Sequence, residues 1–324
     1  MIGRRQFITL LGSAAAWPLA AHAQQGSVSV VAYFRTGSAN PQLSAAFRKG
    51  LGSIGFEEGR NVAIDYQFIE AQYDRLPAVA ADLARRQFAI IYAGDNPTAV
   101  AIKAAAPTVP VVFRIGGDPI QLGLVTSLSR PGGNFTGVSF LATATGAIRL
   151  QVLHEAVPEA RVVALLVNPA NPNAEPITVE AQKAARELGL DLQVVRASST
   201  QEIEQAFTTF VQRGVQALVI DGDTLFASRG LQFGILTARH ALPAISFNRD
   251  MPNVGVLMSY GASNIDADRL GGTYVGRILK GEKPGDLPVQ QSVKVELIIN
   301  MITAKALGLS IPLPLLARAD EVIE

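Results

Sequence analysis

The feature that most constrains the fold of this 324-residue chain is an internal repeat at a spacing of about 130 residues. An apolar, β-branched run at 28–34 leads into a loop of turn-forming residues, Thr36-Gly37-Ser38-Ala39-Asn40-Pro41. A second apolar run at 162–167 leads into a similar loop, Asn168-Pro169-Ala170-Asn171-Pro172. Short apolar runs that end in Gly, Asn and Pro are typical of β-strands followed by turns. The repeat therefore predicts two copies of one folding unit.

The two copies stay in step beyond these first strands. In each copy a helix with apolar residues at helical spacing follows the loop, and it ends at Gly55 in the first copy and at Gly189 in the second. The further predicted strands are short and almost wholly apolar, and they lie at 62–68, 89–92 and 110–114 in the first copy and at 192–195, 217–220 and 243–247 in the second. Such strands are covered on both faces, which indicates parallel sheets flanked by helices.

The repeat predicts an α/β fold with two doubly wound parallel-sheet lobes. We expect lobe 1 to contain residues 26–138 together with about 258–285, and lobe 2 to contain residues 141–256. Residues 286–324 hold a predicted strand and helix that the pattern assigns to neither lobe. Ligands of doubly wound sheets bind beyond the carboxyl ends of the strands, so we expect a cleft between the lobes.

The first 23 residues have the features of a twin-arginine-type signal peptide, in the right order. Arg4 and Arg5 precede an apolar run at 7–21, which is shorter than the run of about 20 residues that a membrane anchor needs. Ala21-His22-Ala23 is typical of a cleavage site. We predict export to the periplasm with cleavage near Ala23, with the Sec route as the alternative. No later run is long enough to span a bilayer, so we expect no membrane insertion after cleavage.

The charge and the cysteine and histidine content exclude several function classes. Removal of the signal leaves 26 basic and 27 acidic side chains, so the mature chain lacks the basic surface that binds nucleic acid. The chain has no cysteine, which excludes thiol catalysis and Cys-ligated metals. His154 and His240 are the remaining histidines and lie far apart. We expect no nucleic-acid partner, no metal and no cofactor.

One glycine-rich segment matches a nucleotide-binding pattern but lies in the wrong place. The segment is Gly50-Leu51-Gly52-Ser53-Ile54-Gly55, and it stands at the end of a predicted helix instead of between a strand and a helix. We interpret it as a helix terminus. The chain also lacks the nucleophile elbow of hydrolases and a P-loop, so we expect no enzyme activity.

The candidate binding residues lie in loops that follow the predicted strands. Asn96 and Thr98 begin a helix, whose free N–H groups favour an anion such as a carboxylate. Asp118 follows the next strand and is either a helix N-cap or a ligand contact. The predicted ligand-binding residues are Thr36, Gly37, Ser38, Asp95, Asn96, Thr98, Gly117, Asp118, Phe140, Asn168, Asp221, Asp223 and Phe247.

The second copy adds acidic and aromatic candidates to this set. One of Asp221 and Asp223 would pair with a ligand ammonium group, or would cap the helix that begins at Thr224. Phe140 and Phe247 lie near strand ends and would supply an apolar wall.

Several motifs resemble those of one known protein family. They are Tyr73-Asp74-Arg75-Leu76-Pro77, Gly116-Gly117-Asp118-Pro119, Leu128-Ser129-Arg130-Pro131-Gly132-Gly133-Asn134, Thr136-Gly137-Val138-Ser139-Phe140 and Met258-Ser259-Tyr260-Gly261. With the signal at 1–23 and the C-terminal runs at 303–309 and 315–324 they resemble the ABC transporter substrate-binding protein family that includes tryptophan-binding, TrpX-like proteins. The resemblance implies a type I periplasmic binding protein fold. Asp95-Asn96 departs from the Thr and small residues common at that loop, which leaves room for a polar ligand other than a simple amino acid.

The resemblance implies a periplasmic solute-binding protein that delivers a small molecule to an ABC importer. The molecule would be an amino acid or an aromatic or carboxylate compound, and the partners would be an inner-membrane permease and ATPase. Hinge crossings would join the lobes, and Gly137–Phe140 and Val256–Tyr260 are our candidates for them. Two alternatives are a sensory binding protein that docks on a membrane receptor and a secreted α/β hydrolase.

Overall fold

A computed structural model of the protein describes residues 28–140, 142–291 and 294–324. The predicted signal peptide at 1–23 lies outside the described residues. Within these ranges the structure contains no helix that is both long and apolar enough to span a bilayer.

The first part of the chain forms five parallel strands with helices between most of them. Its elements are β1 (Ser29–Arg35), α1 (Pro41–Ser53), β2 (Val62–Phe68), α2 (Leu76–Arg85), β3 (Ile90–Ala93), α3 (Asn96–Ala104), β4 (Val111–Ile115) and β5 (Phe135–Ser139). A short 3₁₀ turn, Tyr73–Arg75, precedes α2.

The second part repeats this series and adds a helix in front of it. Its elements are α4 (Ala142–Ala156), β6 (Val162–Val167), α5 (Ala174–Leu188), β7 (Asp191–Arg196), α6 (Thr200–Gln212), β8 (Ala217–Ile220), α7 (Thr224–Ser228), α8 (Gly230–Arg239), β9 (Ala244–Ser246) and β10 (Met258–Ala262). The last part contains α9 (Asn264–Leu279), β11 (Gln290–Gln291), β12 (Val295–Asn300), α10 (Met301–Ala306), α11 (Leu313–Ala317) and β13 (Glu321–Ile323).

The strands form two sheets whose central order is the same. One sheet runs β11-β5-β4-β3-β1-β2 and the other runs β13-β12-β10-β9-β8-β6-β7. Every pair is parallel except β10 with β12. We name the domain around the first sheet lobe 1 and the domain around the second sheet lobe 2. The predicted repeat and the two doubly wound lobes are confirmed.

Strand β10 lies in lobe 2, so the prediction that lobe 1 resumes near residue 258 is wrong there. Met258–Ala262 pairs with β9 and β12 of the second sheet. The chain returns to lobe 1 only with α9, which packs on α1. The C-terminal segment divides between the lobes, because β11 pairs with β5 whereas β12 and β13 join the second sheet.

Among the described elements, the chain therefore passes between the lobes three times. The first connection follows Phe140, the second lies at Ser263 between β10 and α9, and the third links β11 to β12. The hinge candidate at Gly137–Phe140 ends at the first connection. The candidate at Val256–Tyr260 is misplaced, since most of it lies in or next to a lobe 2 strand that ends before the crossing.

Each sheet is buried on both faces, which fixes the direction of its side chains. Val31 and Tyr33 of β1 pack toward α1 and α9, whereas Ala32 and Phe34 pack toward α2 and α3. Helices α4 and α5 cover one face of the lobe 2 sheet, and α6 and α8 cover the other. Alternate burial of this kind leaves the loops at the strand ends as the surface available for binding.

The glycine-rich segment ends helix α1, as the sequence predicts. Helix α1 stops at Ser53, and Gly55 has a φ of +95°, which is typical of a residue that follows a helix. Gly50 also allows α1 to approach α9 closely, because a Cβ atom there would lie 1.9 Å from the carbonyl oxygen of Arg269. The segment serves helix packing.

Candidate ligand-binding site

A cavity of about 330 Å³ lies between the lobes, where the carboxyl ends of their strands face each other. Loops after β1, β3 and β4 form the lobe 1 wall, and loops after β8 and β9 contribute to the lobe 2 wall. The predicted residues that line it are Gly37, Ser38, Asp95, Asn96, Phe140, Asp223 and Phe247. The predicted residues outside its lining are Thr36, Thr98, Gly117, Asp118, Asn168 and Asp221.

Asp95 organises the lobe 1 wall. Its Oδ1 accepts a hydrogen bond from Thr98 N at 3.0 Å and so caps α3. Its Oδ2 accepts hydrogen bonds from the Thr36 backbone at 2.7 Å and from the Thr36 hydroxyl at 2.9 Å. The carboxylate thereby ties the β1 loop to the start of α3, which accounts for the acidic residue at this position.

The neighbouring loop after β4 is held by an amide. Asn96 Oδ1 accepts hydrogen bonds from the backbone N–H groups of Gly116 and Gly117, at 2.8 and 3.3 Å. Asp118 turns away from the cavity and caps the following turn at Ile120 N, at 2.8 Å. Of the two interpretations of Asp118 from the sequence, the structure supports the cap. Gly117 approaches Asn173 of lobe 2 closely, since a Cβ atom there would lie 2.5 Å from Asn173 Oδ1.

Asp223 caps α7 and accepts four hydrogen bonds in total. Asn168 Nδ2 and Leu225 N donate to its Oδ1 at 3.0 and 2.8 Å. Asn171 Nδ2 and the Tyr73 hydroxyl donate to its Oδ2 at 3.1 and 2.6 Å. Burial raises the pKa of Asp223 above its ordinary value, against the lowering effect of these donors.

Asp221 forms a buried ion pair. Its Oδ1 lies 3.1 Å from Arg149 Nη2, and both side chains are almost fully buried. Burial raises the pKa of Asp221 to about 6, because loss of hydration outweighs the favourable charge of Arg149. Neither Asp221 nor Asp223 is thus free to pair with an ammonium group. This outcome removes one of the two interpretations from the sequence, in which one of these residues would pair with a ligand ammonium group.

Four arginines that sequence reasoning missed also line the cavity. They are Arg35, Arg114, Arg149 and Arg249. Arg35 and Arg114 meet at Asp268 of α9, with an Arg35 Nη1–Oδ2 distance of 3.1 Å and an Arg114 Nε–Oδ2 distance of 3.4 Å. For Arg35 and Arg114 the sequence did contain a signal of a functional position, because each is a cation near the end of an otherwise apolar, buried strand. Arg149 lies inside a helix, where its sequence context gave no comparable signal.

The two predicted aromatic residues lie on the cavity wall and are half-buried. Phe140 faces Arg114, whose guanidinium carbon is 5.1 Å from the ring centroid. Phe247 lies beside the Gly222 backbone, where a Cβ atom would be 3.7 Å from the ring. The wall therefore combines planar apolar surface with arginine, a combination that suits an aromatic or otherwise planar anion.

Direct contacts across the cavity edge join the lobes. Thr36 Oγ1 of lobe 1 lies 2.6 Å from Thr224 Oγ1 of lobe 2, and the Tyr73 hydroxyl lies 2.9 Å from the same atom. The Thr36 and Tyr73 protons are directed at Asp95 and Asp223, so Thr224 is left to donate to one of the two hydroxyls. We call Thr36, Tyr73, Asp223 and Thr224 the interlobe latch.

Known structures share this architecture. A conserved domain protein from Vibrio cholerae is 25% identical, with a TM-score of 0.84 over 91% of this chain and 99% of that chain. A domain from Streptococcus pneumonia in complex with L-Trp is also 25% identical, with a TM-score of 0.84 over 92% of this chain and 100% of that one. The ligand-free, open structure of a substrate binding protein with adhesive properties from Clostridium difficile is 24% identical, with a TM-score of 0.65 over 91% and 99% of the two chains.

Sequence comparison leads to the same group of proteins. A tyrosine-binding protein from Clostridioides difficile (strain R20291) is 26% identical over 276 residues, which cover 83% of this chain and 78% of the relative. The family model described as ABC transporter substrate binding protein matches residues 28–323. The match spans nearly all of the chain and confirms the resemblance seen in the motifs: the protein belongs to the ABC transporter substrate-binding protein family.

Proposed function

We propose that the protein binds a small organic solute, an amino acid or an aromatic or carboxylate compound, and delivers it to an ABC importer. The observation that carries this proposal is the cavity between the lobes, which Phe140, Phe247 and buried arginines line together. Its volume of about 330 Å³ is at the lower end of the range for small-molecule sites. A solute of amino-acid size therefore suits it better than an oligosaccharide or a peptide.

Closure of the lobes is the mechanism by which such a solute would be held. A ligand that touches both walls stabilises the closed arrangement over the open one, because only the closed arrangement provides both sets of contacts. The interlobe latch adds hydrogen bonds between the two lobes to the same closed state. The chain resembles the L-Trp complex more closely than the open structure, with TM-scores of 0.84 and 0.65 at nearly equal identity, which supports a closed arrangement here.

Export and handover complete the proposed function. The signal-type sequence at 1–23 would carry the protein across the inner membrane, and solute capture would take place in the periplasm. A permease and an ATPase of that membrane would receive the solute there. The mature chain is nearly neutral, which fits a partner that is neither a nucleic acid nor an anionic membrane surface.

A thermal-shift screen of the mature protein against a solute library tests this proposal. A ligand at a thousandfold excess over its Kd stabilises the folded state by about 4 kcal/mol, which raises the melting temperature by several degrees. We expect amino acids, aromatic acids or related carboxylates to give such shifts. A library in which no small solute stabilises the protein would contradict the proposal, and turnover of a solute would favour the hydrolase alternative.

A further inference from the structure

The buried carboxylates on the cavity wall have almost no capacity left for a ligand. A carboxylate accepts about four hydrogen bonds, and Asp223 accepts four from the protein itself. Asp95 accepts three, from the Thr36 backbone, the Thr36 hydroxyl and Thr98 N. Asp250, the third carboxylate among the described lining residues, is exposed to solvent. A ligand ammonium group enclosed here would therefore find no buried carboxylate ready to pair with it.

Two arginines on the same wall have buried N–H groups without a hydrogen-bond acceptor. Arg114 and Arg149 are 4% and 1% exposed, and the Nε atom of each is buried without a hydrogen-bond partner. Arg114 is nevertheless engaged at each nitrogen, because Nη1 donates to Gly94 O at 2.8 Å, Nη2 donates to Asn264 Oδ1 and Nε lies 3.4 Å from Asp268 Oδ2. Arg149 Nε is thus a buried donor without a hydrogen-bond partner, beside carboxylates that have little accepting capacity left.

Arg149 is the less engaged of the two arginines. Its one short contact is the 3.1 Å ion pair with Asp221. Its Nη1 contacts to Thr145 Oγ1 and Tyr260 O are long, at 3.4 Å each. A buried guanidinium with unused donors is costly, and a planar carboxylate that accepts two parallel N–H bonds removes that cost.

We propose that the ligand is a carboxylic acid without an α-ammonium group, and that Arg149 receives its carboxylate while Phe140 and Phe247 contact its body. This inference rests on the proposed function and narrows its ligand class. An acid of this kind fits the observed hydrogen-bonding groups, since it brings acceptors to the buried Nε–H group of Arg149 that has no partner. An amino acid brings the same carboxylate together with an ammonium group whose burial without a carboxylate partner is unfavourable.

Matched solute pairs test the proposal on the unmodified mature protein. The pairs are 3-phenylpropionate with phenylalanine, 3-(4-hydroxyphenyl)propionate with tyrosine, and indole-3-propionate with tryptophan, so that the α-ammonium group is the difference within each pair. Calorimetric titration is expected to give at least about tenfold tighter binding for the acid in at least one pair. Equal or tighter binding of the amino acids would overturn this inference and leave the proposed function standing. Failure of both series and of a wider solute library would overturn both.

A matched substitution tests the role of Arg149. Arg149→Lys keeps the positive charge but loses the planar donor pair, and we expect it to weaken binding of the preferred acid by about tenfold or more. Arg318→Lys is the control, because Arg318 pairs with Glu155 at 2.8 Å and is not among the cavity-lining residues. Acid binding by Arg149→Lys at the strength of the unmodified protein would overturn the assignment of Arg149. The matched solute pairs test the ligand class even if this variant does not fold.

Discussion

The Tyr73 hydroxyl of lobe 1 donates a 2.6 Å hydrogen bond to Asp223 Oδ2 of lobe 2, so side chains of the protein itself join the two lobes. Thr36 and Thr224 add a second contact of 2.6 Å beside it. The closed arrangement therefore has favourable interactions of its own. Under the proposed closure mechanism, a solute that enters the cavity adds to these contacts and does not have to supply the whole free energy of closure.

We expect Tyr73→Phe to weaken ligand binding by about tenfold, which corresponds to about 1.4 kcal/mol. The substitution keeps the ring but removes the hydroxyl that donates to the buried Asp223 carboxylate. The loss destabilises only the closed arrangement, because water can donate to this carboxylate when the lobes are apart. Calorimetric titration of the preferred solute measures the change. Small-angle scattering of the ligand-free variant is expected to show a larger radius of gyration.

Tyr66→Phe is the matched control for this substitution. The Tyr66 hydroxyl contacts Glu58 at 3.3 Å within lobe 1, at an exposed position. We expect the Tyr66→Phe variant to bind the preferred solute with the same affinity as the unmodified protein. If the two variants bind the solute equally well, the interlobe latch contributes nothing to closure.

The Asp221–Arg149 pair predicts a particular pH dependence of stability. The pKa of Asp221 is raised by burial to about 6 from an ordinary value of 3.8, so the folded state binds more protons than the unfolded state between these values. The contribution of this residue to the free energy of unfolding therefore falls as the pH rises from about 4 to about 6. Denaturation of the unmodified protein and of Asp221→Asn across this range isolates the contribution, because the amide does not titrate. A contribution that rises over the same range would mean that the charge of Arg149 dominates the pKa.

The contact between α1 and α9 predicts opposite results for two neighbouring glycines. Gly50→Ala places a methyl group 1.9 Å from Arg269 O, so we expect it to destabilise the protein by about 1–3 kcal/mol. Gly52→Ala meets nothing within 4 Å on the same helix and is expected to be neutral or to stabilise by up to about 1 kcal/mol. Urea denaturation of both variants provides the comparison, and equal effects would contradict the close helix contact.

Export by the twin-arginine route is testable in cells. Replacement of Arg4 and Arg5 by lysine keeps the positive charge of the signal but removes the arginine pair that defines the route. We expect the doubly substituted protein to remain in the cytoplasm after cell fractionation. Arg48→Lys serves as a control in the mature chain. Normal export of the doubly substituted protein would favour the Sec route instead.

Local patterns in the sequence were sufficient for the repeat and for most strands. Val62–Phe68 and Val162–Val167, for example, have the predicted limits, because Gly59 and Asn61 precede the first strand and Asn168-Pro169 follow the second. The lobe of β10 was not predictable in this way, because it depends on pairing with β12, a strand about 40 residues later. Tertiary pairing, and not local composition, decides where the chain crosses between lobes.

The site shows the same division between local and distant information. The loops at the strand ends were predictable, but the partners of their side chains were not. Asp223 is held by Tyr73, which lies 150 positions earlier in the chain, and Arg35 meets Asp268 over an interval of 233. For this reason the sequence left two interpretations open for Asp118 and for the pair Asp221 and Asp223. The structure supports helix or turn capping for Asp118 and Asp223 and an ion pair with Arg149 for Asp221.

A reversible cross-link between the lobes tests the central claim most directly. The chain has no cysteine, and the hydroxyl oxygens of Thr36 and Thr224 lie 2.6 Å apart, so Thr36→Cys with Thr224→Cys introduces one disulfide candidate across the closed cleft. The rate of binding of the preferred solute is then measured with the oxidised and with the reduced protein. We predict that the reduced protein binds the solute and that the oxidised, ligand-free protein does not admit it. Equally rapid binding by both forms would contradict a site that opens and closes between the lobes.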